Sequence, residues 1–314
     1  MSSVKPASRT PAGNSLCETT RARVRFPGGP GTAAGTRVHQ VVHDCRMSAV
    51  EEFQTELDES TSRLLATAAR LTDDDVRAPS LLPGWTRGHV LAHLACNADS
   101  HINLLTWARS GVRTPQYAAP GVREAEIQAG AVRPAEDLLA DLEASAERLR
   151  DAVDRMPSEA WSATVCGMRP PDHPAWYIPA RRLRELEIHH VDLGAGYGWA
   201  DWPESFARRE LHDTMASWPH GEGPVSEIVA RWEDGGRIRI WSGLGRGPAV
   251  HGSPRELVAW LTGRAFGEGL VVKCSPADTA GAPGLPPSPP PWLVMPAPPD
   301  LPARPPRTWP PDRD

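Results

Sequence analysis

The chain has 314 residues, 40% of them hydrophobic and 23% charged, with a net charge of −5. That length holds two modest domains with a sizeable core, and the acidic balance excludes general nucleic-acid binding. No apolar run approaches the roughly 18 residues that span a bilayer, and no continuous apolar signal core opens the sequence, so the expected setting is the cytoplasm, with no membrane partner.

Residues 1–46 are rich in Gly, Pro, Ser, Thr and Arg and carry no apolar period, which reads as a disordered extension, with Met47 an alternative start. A first helix is expected from Ala49 to Leu71, where Phe53, Leu57, Leu64, Ala68 and Leu71 make one apolar face. After the loop Ser80–Trp85, Thr86 is a fitting N-cap for a second helix that Gly111 ends after Ser110. His89, His93, Asn97 and His101 are spaced by four along it and form a continuous polar edge, which must meet solvent or an interior polar site. A third helix follows from Pro134 to Met156, and a fourth from Pro179 to Leu193, ended by Gly194. Four such helices make a bundle over 47–198, and bundles build metal sites from side chains on facing helices.

After Gly198 the pattern changes. Pro203–Trp218 reads as a helix, Val225–Trp232 and Arg237–Trp241 as a hairpin joined by Asp234-Gly235-Gly236, and Ser253-Pro254-Arg255-Glu256 as a capping box opening a helix through Leu261. This predicts a smaller α+β domain over 199–293. Leu285–Leu293 is expected to pack back through Trp292, and 294–314 to be a floppy, Pro-rich, disordered tail. The fold class is thus α+β, mainly α. The five cysteines show no CxxC pair and no framework spacing, which reads as free thiols.

The chemistry lies in two helices. Glu185 and His189 sit one turn apart on one face, and His93 comes from another helix. Three ligands with an open position is the arrangement of a catalytic metal. His190 points about 100° away from His189, Glu187 pairs in spacing with His190, and His89 is a weaker ligand candidate than His93. Asn97 and His101 share the His93 edge, either as pocket residues or as a plain polar edge.

These residues resemble the mycothiol-dependent maleylpyruvate isomerase family over about 48–293. Pro83-Gly84-Trp85-Thr86 leading into Val90-Leu91-Ala92-His93-Leu94-Ala95 is similar to its first motif, and Arg184-Glu185 followed by His189-His190-Val191-Asp192-Leu193-Gly194 to its second. Trp260-Leu261-Thr262-Gly263-Arg264 is similar to a third, and Leu285-Pro286-Pro287 with Pro290-Pro291-Trp292 to its terminal element. The resemblance implies a DinB-like four-helix bundle, zinc or another divalent metal on His93, Glu185 and His189, mycothiol as cofactor, and a functional arginine at Arg264, expected to pair with a substrate carboxylate. The implied reaction converts maleylpyruvate to fumarylpyruvate by reversible thiolate addition to the C=C bond. Two alternatives share the scaffold: a mycothiol S-transferase acting on another electrophile, and a non-catalytic metal-binding regulatory module. The sequence does not set the oligomeric state.

Overall fold

The computed structural model describes residues 48–232, 236–274, 284–291 and 297–311. The expected extension 1–46, the Met47 start, the hairpin residues Asp234 and Gly235, and Trp292 lie outside them.

Helix α1 (Ala49–Ala68) starts at Ser48, whose hydroxyl caps Glu51 N while the Glu51 carboxylate returns to Ser48 N. It ends three residues before the predicted Leu71. Helix α3 (Arg87–Ser110) opens at Thr86 and stops at Gly111, whose φ of 71° only glycine adopts without strain. Helix α5 (Ala135–Asp154) and helix α6 (Ile178–Asp192) complete the set. The pairs α3–α5, α3–α6, α1–α6 and α1–α5 pack as a four-helix bundle. Its core holds Phe53, Leu64, Leu91, Leu94, Leu104, Leu142, Trp176 and Leu183.

Two helices escaped the sequence reading. Helix α2 (Asp73–Arg77) is capped by Thr72, and helix α4 (Val122–Ala131) lies on α3. Close backbone approach seats α4: a Cβ on Gly88 would stand 2.5 Å from Ala131 O, and one on Gly130 would stand 2.7 Å from Ala92 Cβ. Between the predicted third and fourth helices, residues 157–178 carry a two-stranded ladder, β1 (Thr164–Val165) with β2 (His173–Pro174).

Beyond the bundle, α7 (Glu204–Ala216) and α8 (Pro254–Leu261) pack beside a four-stranded sheet. The predicted hairpin is present as β3 (Glu227–Arg231) and β4 (Ile238–Ser242), with Val229 opposite Ile240. Two short strands were not foreseen: β5 (Ala249–Gly252), parallel to β3, and β6 (Val271–Lys273), giving the order β4-β3-β5-β6. The whole is a DinB-like bundle followed by a smaller α+β region.

Helix α6 belongs to both cores. Leu183 and Leu186 point into the bundle, whereas Ile188 and Val191 join the second core with Trp202, Phe206 and Leu257. Buried on both sides, α6 is fixed in rotation, and that sets where its polar edge points. Among the described residues no helix is long and apolar enough to cross a membrane.

Residues 284–291 lie along the second core, with Pro287 O accepting from Trp260 Nε1 at 3.2 Å. Residues 297–311 form no helix or strand, in keeping with their prolines. Composition suggested a floppy tail here; within 297–311, Trp309 and the acceptors of Trp176 and Ala49 make contacts with the bundle. Trp309 sits edge-on to Trp176 and donates to Asp213 Oδ1 at 3.0 Å. Trp176 donates to Pro302 O at 2.7 Å, and Pro306 O accepts from Ala49 N, a donor that α1 leaves unpaired. Trp309→Ala should therefore lower stability by about 3–5 kcal/mol, the usual range for deleting a buried large aromatic. Urea unfolding reads this directly, and a loss below about 1 kcal/mol would mean the segment is not anchored.

Candidate metal centre

His93 projects from the second turn of α3. Thr86 and His89 form the capping box there: Thr86 Oγ1 accepts from His89 N, and His89 Nδ1 accepts from Thr86 N at 3.2 Å. His89 Nε2 faces Gln128 Oε1 at 3.3 Å. Capping thus occupies His89, and His93, 2% exposed, is the imidazole that reaches α6.

His93 Nε2 lies 2.9 Å from Glu185 Oε2, and His189 Nε2 lies 3.4 Å from the same oxygen. One ligand atom from each of these residues falls within 4.8 Å of the others. The two imidazoles meet edge to face, with centroids 4.7 Å apart, and Trp85 packs its ring against His93. A His/His/Glu donor set with no other side chain needed to complete it is a candidate divalent-metal site.

The surroundings fix each group's protonation. Burial pushes His93 down to about 4, so the ring is neutral near pH 7. Burial opposes the charge on Glu185, but hydrogen bonds from His189 and His93 outweigh it and hold the carboxyl well below its usual range. Burial also opposes a charged His189, yet bonds to Asp192 and Glu185 raise its pKa.

A second layer supports His189. Its Nδ1 donates to Asp192 Oδ2 at 2.8 Å, which points Nε2 at Glu185. Asp192 in turn takes two bonds from Arg264, Nε to Oδ1 at 3.0 Å and Nη2 to Oδ2 at 2.6 Å. Asp192 resists burial and stays ionised through His189 and Arg264. Arg264, expected to pair with a substrate carboxylate, here pairs with a carboxylate of the protein. Its fork meets Asp192, and Nη1 donates to Thr262 O at 2.6 Å. Asp192 stood in the quoted motif without a role; its i+3 spacing from His189 is the signal that identifies it.

The remaining candidates lie elsewhere. His190 stacks flat on Tyr197 at 3.8 Å and bonds Thr67 Oγ1 at 2.8 Å. Glu187 is held by Arg63 and by the Tyr197 hydroxyl. Asn97 Oδ1 accepts from Arg182 at 2.8 Å, and His101 Nδ1 donates to Asn97 O at 2.7 Å. Burial and nearby carboxylates push the Cys96 thiol up to about 11, which keeps it protonated.

The family model described as "Mycothiol maleylpyruvate isomerase N-terminal domain" matches residues 57–194. Among solved structures, the crystal structure of the mycothiol-dependent maleylpyruvate isomerase is 31% identical, covers 77% of this chain and 97% of its own, and superposes with a TM-score of 0.65. The crystal structure of a His-to-Ala mutant of the mycothiol-dependent maleylpyruvate isomerase matches with the same identity, coverage and TM-score. No curated protein sequence matches the chain. With the three donors gathered between α3 and α6 and this likeness along most of its length, the chain belongs to the mycothiol-dependent maleylpyruvate isomerase family.

Proposed function

We propose that the chain is a cytoplasmic, metal- and mycothiol-dependent cis–trans isomerase that converts maleylpyruvate to fumarylpyruvate. The observation that carries this reading is the convergence of His93, Glu185 and His189 in a chain 31% identical to a crystallised enzyme of that description.

The donors suit a divalent ion such as Zn²⁺. Tetrahedral zinc with bonds of about 2.0–2.2 Å spaces neighbouring ligand atoms by about 3.3–3.6 Å, close to the 2.9 and 3.4 Å seen here. When bound, the ion supplies a Lewis acid with an open position that favours thiolate over thiol at neutral pH. Mycothiol supplies the sulfur nucleophile, whose reversible addition to the cis C=C bond leaves a single bond free to rotate.

The chain's own residues do the rest. His189 offers Nε2 because Asp192 holds the proton on Nδ1. Arg264 neutralises Asp192 and ties the segment after α8 to the end of α6. Trp85 closes the side of His93 that faces its ring. Arg123 Nη2 stands 3.3 Å from His93 Nδ1. Coordination through Nε2 puts the ring proton on Nδ1, so this arginine must turn aside on metal binding, which its partly exposed side chain permits.

Asp192→Asn should lower metal affinity by about 10–100-fold, the usual cost of losing a carboxylate behind a metal-bound imidazole. Competition with a chelator measures this, and unchanged affinity would remove Asp192 from the site. Arg264→Ala should keep the metal and lose turnover.

The functional test is the loss of maleylpyruvate and appearance of fumarylpyruvate with zinc-loaded protein, with and without mycothiol. Conversion that requires the thiol is expected. A folded, metal-bearing protein that converts nothing would overturn the isomerase reading in favour of a transferase for another electrophile.

A further inference from the structure

Arg181 lies one turn before Glu185 on α6, as Glu185 lies one turn before His189, so the three side chains leave the helix along one edge. The guanidinium meets only neutral acceptors: Nη1 donates to His173 Nε2 at 3.0 Å, and Nη2 reaches Gln116 Oε1 at 3.5 Å. His173 keeps its proton on Nδ1 facing Pro174 O, and burial pushes its pKa down to about 3, so it brings no charge.

Several other partly or fully buried arginines have a carboxylate, while Arg87 meets three backbone carbonyls instead. Arg184 has Glu210 at 2.7 Å, Arg63 has Glu187 at 2.7 Å, Arg209 has Glu56, and Arg264 has Asp192. Arg182 lacks one, but a single Nη1 of it meets both Leu94 O and Asn97 Oδ1, on another side of α6. Arg181 has no ion-pair partner among the described residues. Burial lowers its pKa to about 10, so it remains a cation at neutral pH. The Glu185 carboxylate one turn along α6 favours the cation at a distance without pairing with it, and a partly buried cation with no direct ion pair is suited to meet an anion.

The guanidinium is also held in place. Gln116 Oε1 accepts from Met168 N at 3.1 Å, and the loop at Gly167 runs so close that a Cβ there would stand 3.0 Å from Arg181 Nη1. His101, two turns along α3 from His93, lies within the electrostatic reach of Arg181, and its buried Nε2 has no hydrogen-bond partner. A cation without a direct ion pair and an unpaired polar atom thus lie together beside the metal centre. A divalent ion held by one carboxylate and two neutral imidazoles adds further positive charge to the same region.

We propose that Arg181 anchors a carboxylate of the substrate, a small dicarboxylate whose reactive carbons are thereby set beside the His93–Glu185–His189 centre. This rests on the proposed function for the identity of that centre.

The test is calorimetric binding of maleate to the zinc-loaded full chain without thiol, comparing the natural protein with R181Q and R181K, each checked for metal content. The natural protein should bind maleate. R181Q should bind at least about tenfold more weakly with its zinc intact, as expected for losing a charge-assisted bond. R181K, which keeps the charge but not the fork, should lose a smaller factor, and the maleylpyruvate KM should rise in the same order. Unchanged maleate affinity in R181Q, or no binding by the zinc-loaded natural protein, would overturn the proposal. If R181Q does not fold, R181K decides: weaker binding supports the anchor, and unchanged binding overturns it. Should maleate binding depend on Arg181 while no isomerisation occurs, the isomerase reading fails and the anion anchor stands.

Discussion

Alanine in place of His93, Glu185 or His189 is expected to remove metal and turnover together. Each contributes one of three donor atoms grouped within 4.8 Å, and a site with an open position has no spare ligand. The loss of affinity should exceed the roughly 10–100-fold that follows removal of a merely supporting residue, which separates these variants from Asp192→Asn. The three should not behave identically without metal. Glu185→Ala leaves two imbedded imidazoles without their shared acceptor, whereas His93→Ala opens a small space against Trp85. Metal content after dialysis, measured beside turnover, decides the matter. A variant that loses activity with its full metal complement would show that its residue is not a ligand.

Acid should destabilise the protein well before its carboxylates titrate. His101 and His173 are pushed down to about 3 and His190 to about 4, in each case first by burial. All three are therefore neutral in the folded chain at pH 5, whereas the unfolded chain, with imidazoles near 6.5, is largely protonated there. The unfolded state binds the extra protons, so stability is full above about pH 6.5 and declines as the pH falls towards 4. Each group contributes on the order of 2 kcal/mol at pH 5, and the three together on the order of 6 kcal/mol. None of them is one of the three grouped donors, so the decline should persist in metal-free protein. Thermal unfolding between pH 7 and 5 measures it. A melting temperature flat across that range would mean that these rings are protonated in the native state.

The sequence made the bundle readable because α1, α3, α5 and α6 carry long apolar faces or clear caps, such as Ser48 with Glu51 and Thr86 with Gly111. Helix α4 was not readable for a physical reason. Only Ile127 and Ala131 are buried on it, and glycine-mediated backbone approach seats it instead of an apolar stripe. Strands β5 and β6 are four and three residues long, too short for alternation to stand out. At the site, helical spacing brought Glu185 and His189 together, His93 was read as the third ligand from another helix, and the resemblance implied the same three. The contact of Arg264 with Asp192 was not legible, because the two lie 72 positions apart in sequence. Arg181 went unnoticed although it continues the 181–185–189 spacing, since its environment is assembled from Gln116, Gly167 and His173 in separate loops. Proline content showed that 297–311 would be irregular in backbone but carried no information about where Trp309 would dock.

The docking of Trp309 against Trp176 also sets an order of events during synthesis. More than a hundred residues separate the two in sequence. At about 5–20 residues per second, a ribosome that has released Trp176 needs on the order of ten seconds to deliver its partner. For that interval Trp176 and the first amide of α1 have no cover from the later segment, so the nascent bundle presents an apolar socket to anything nearby.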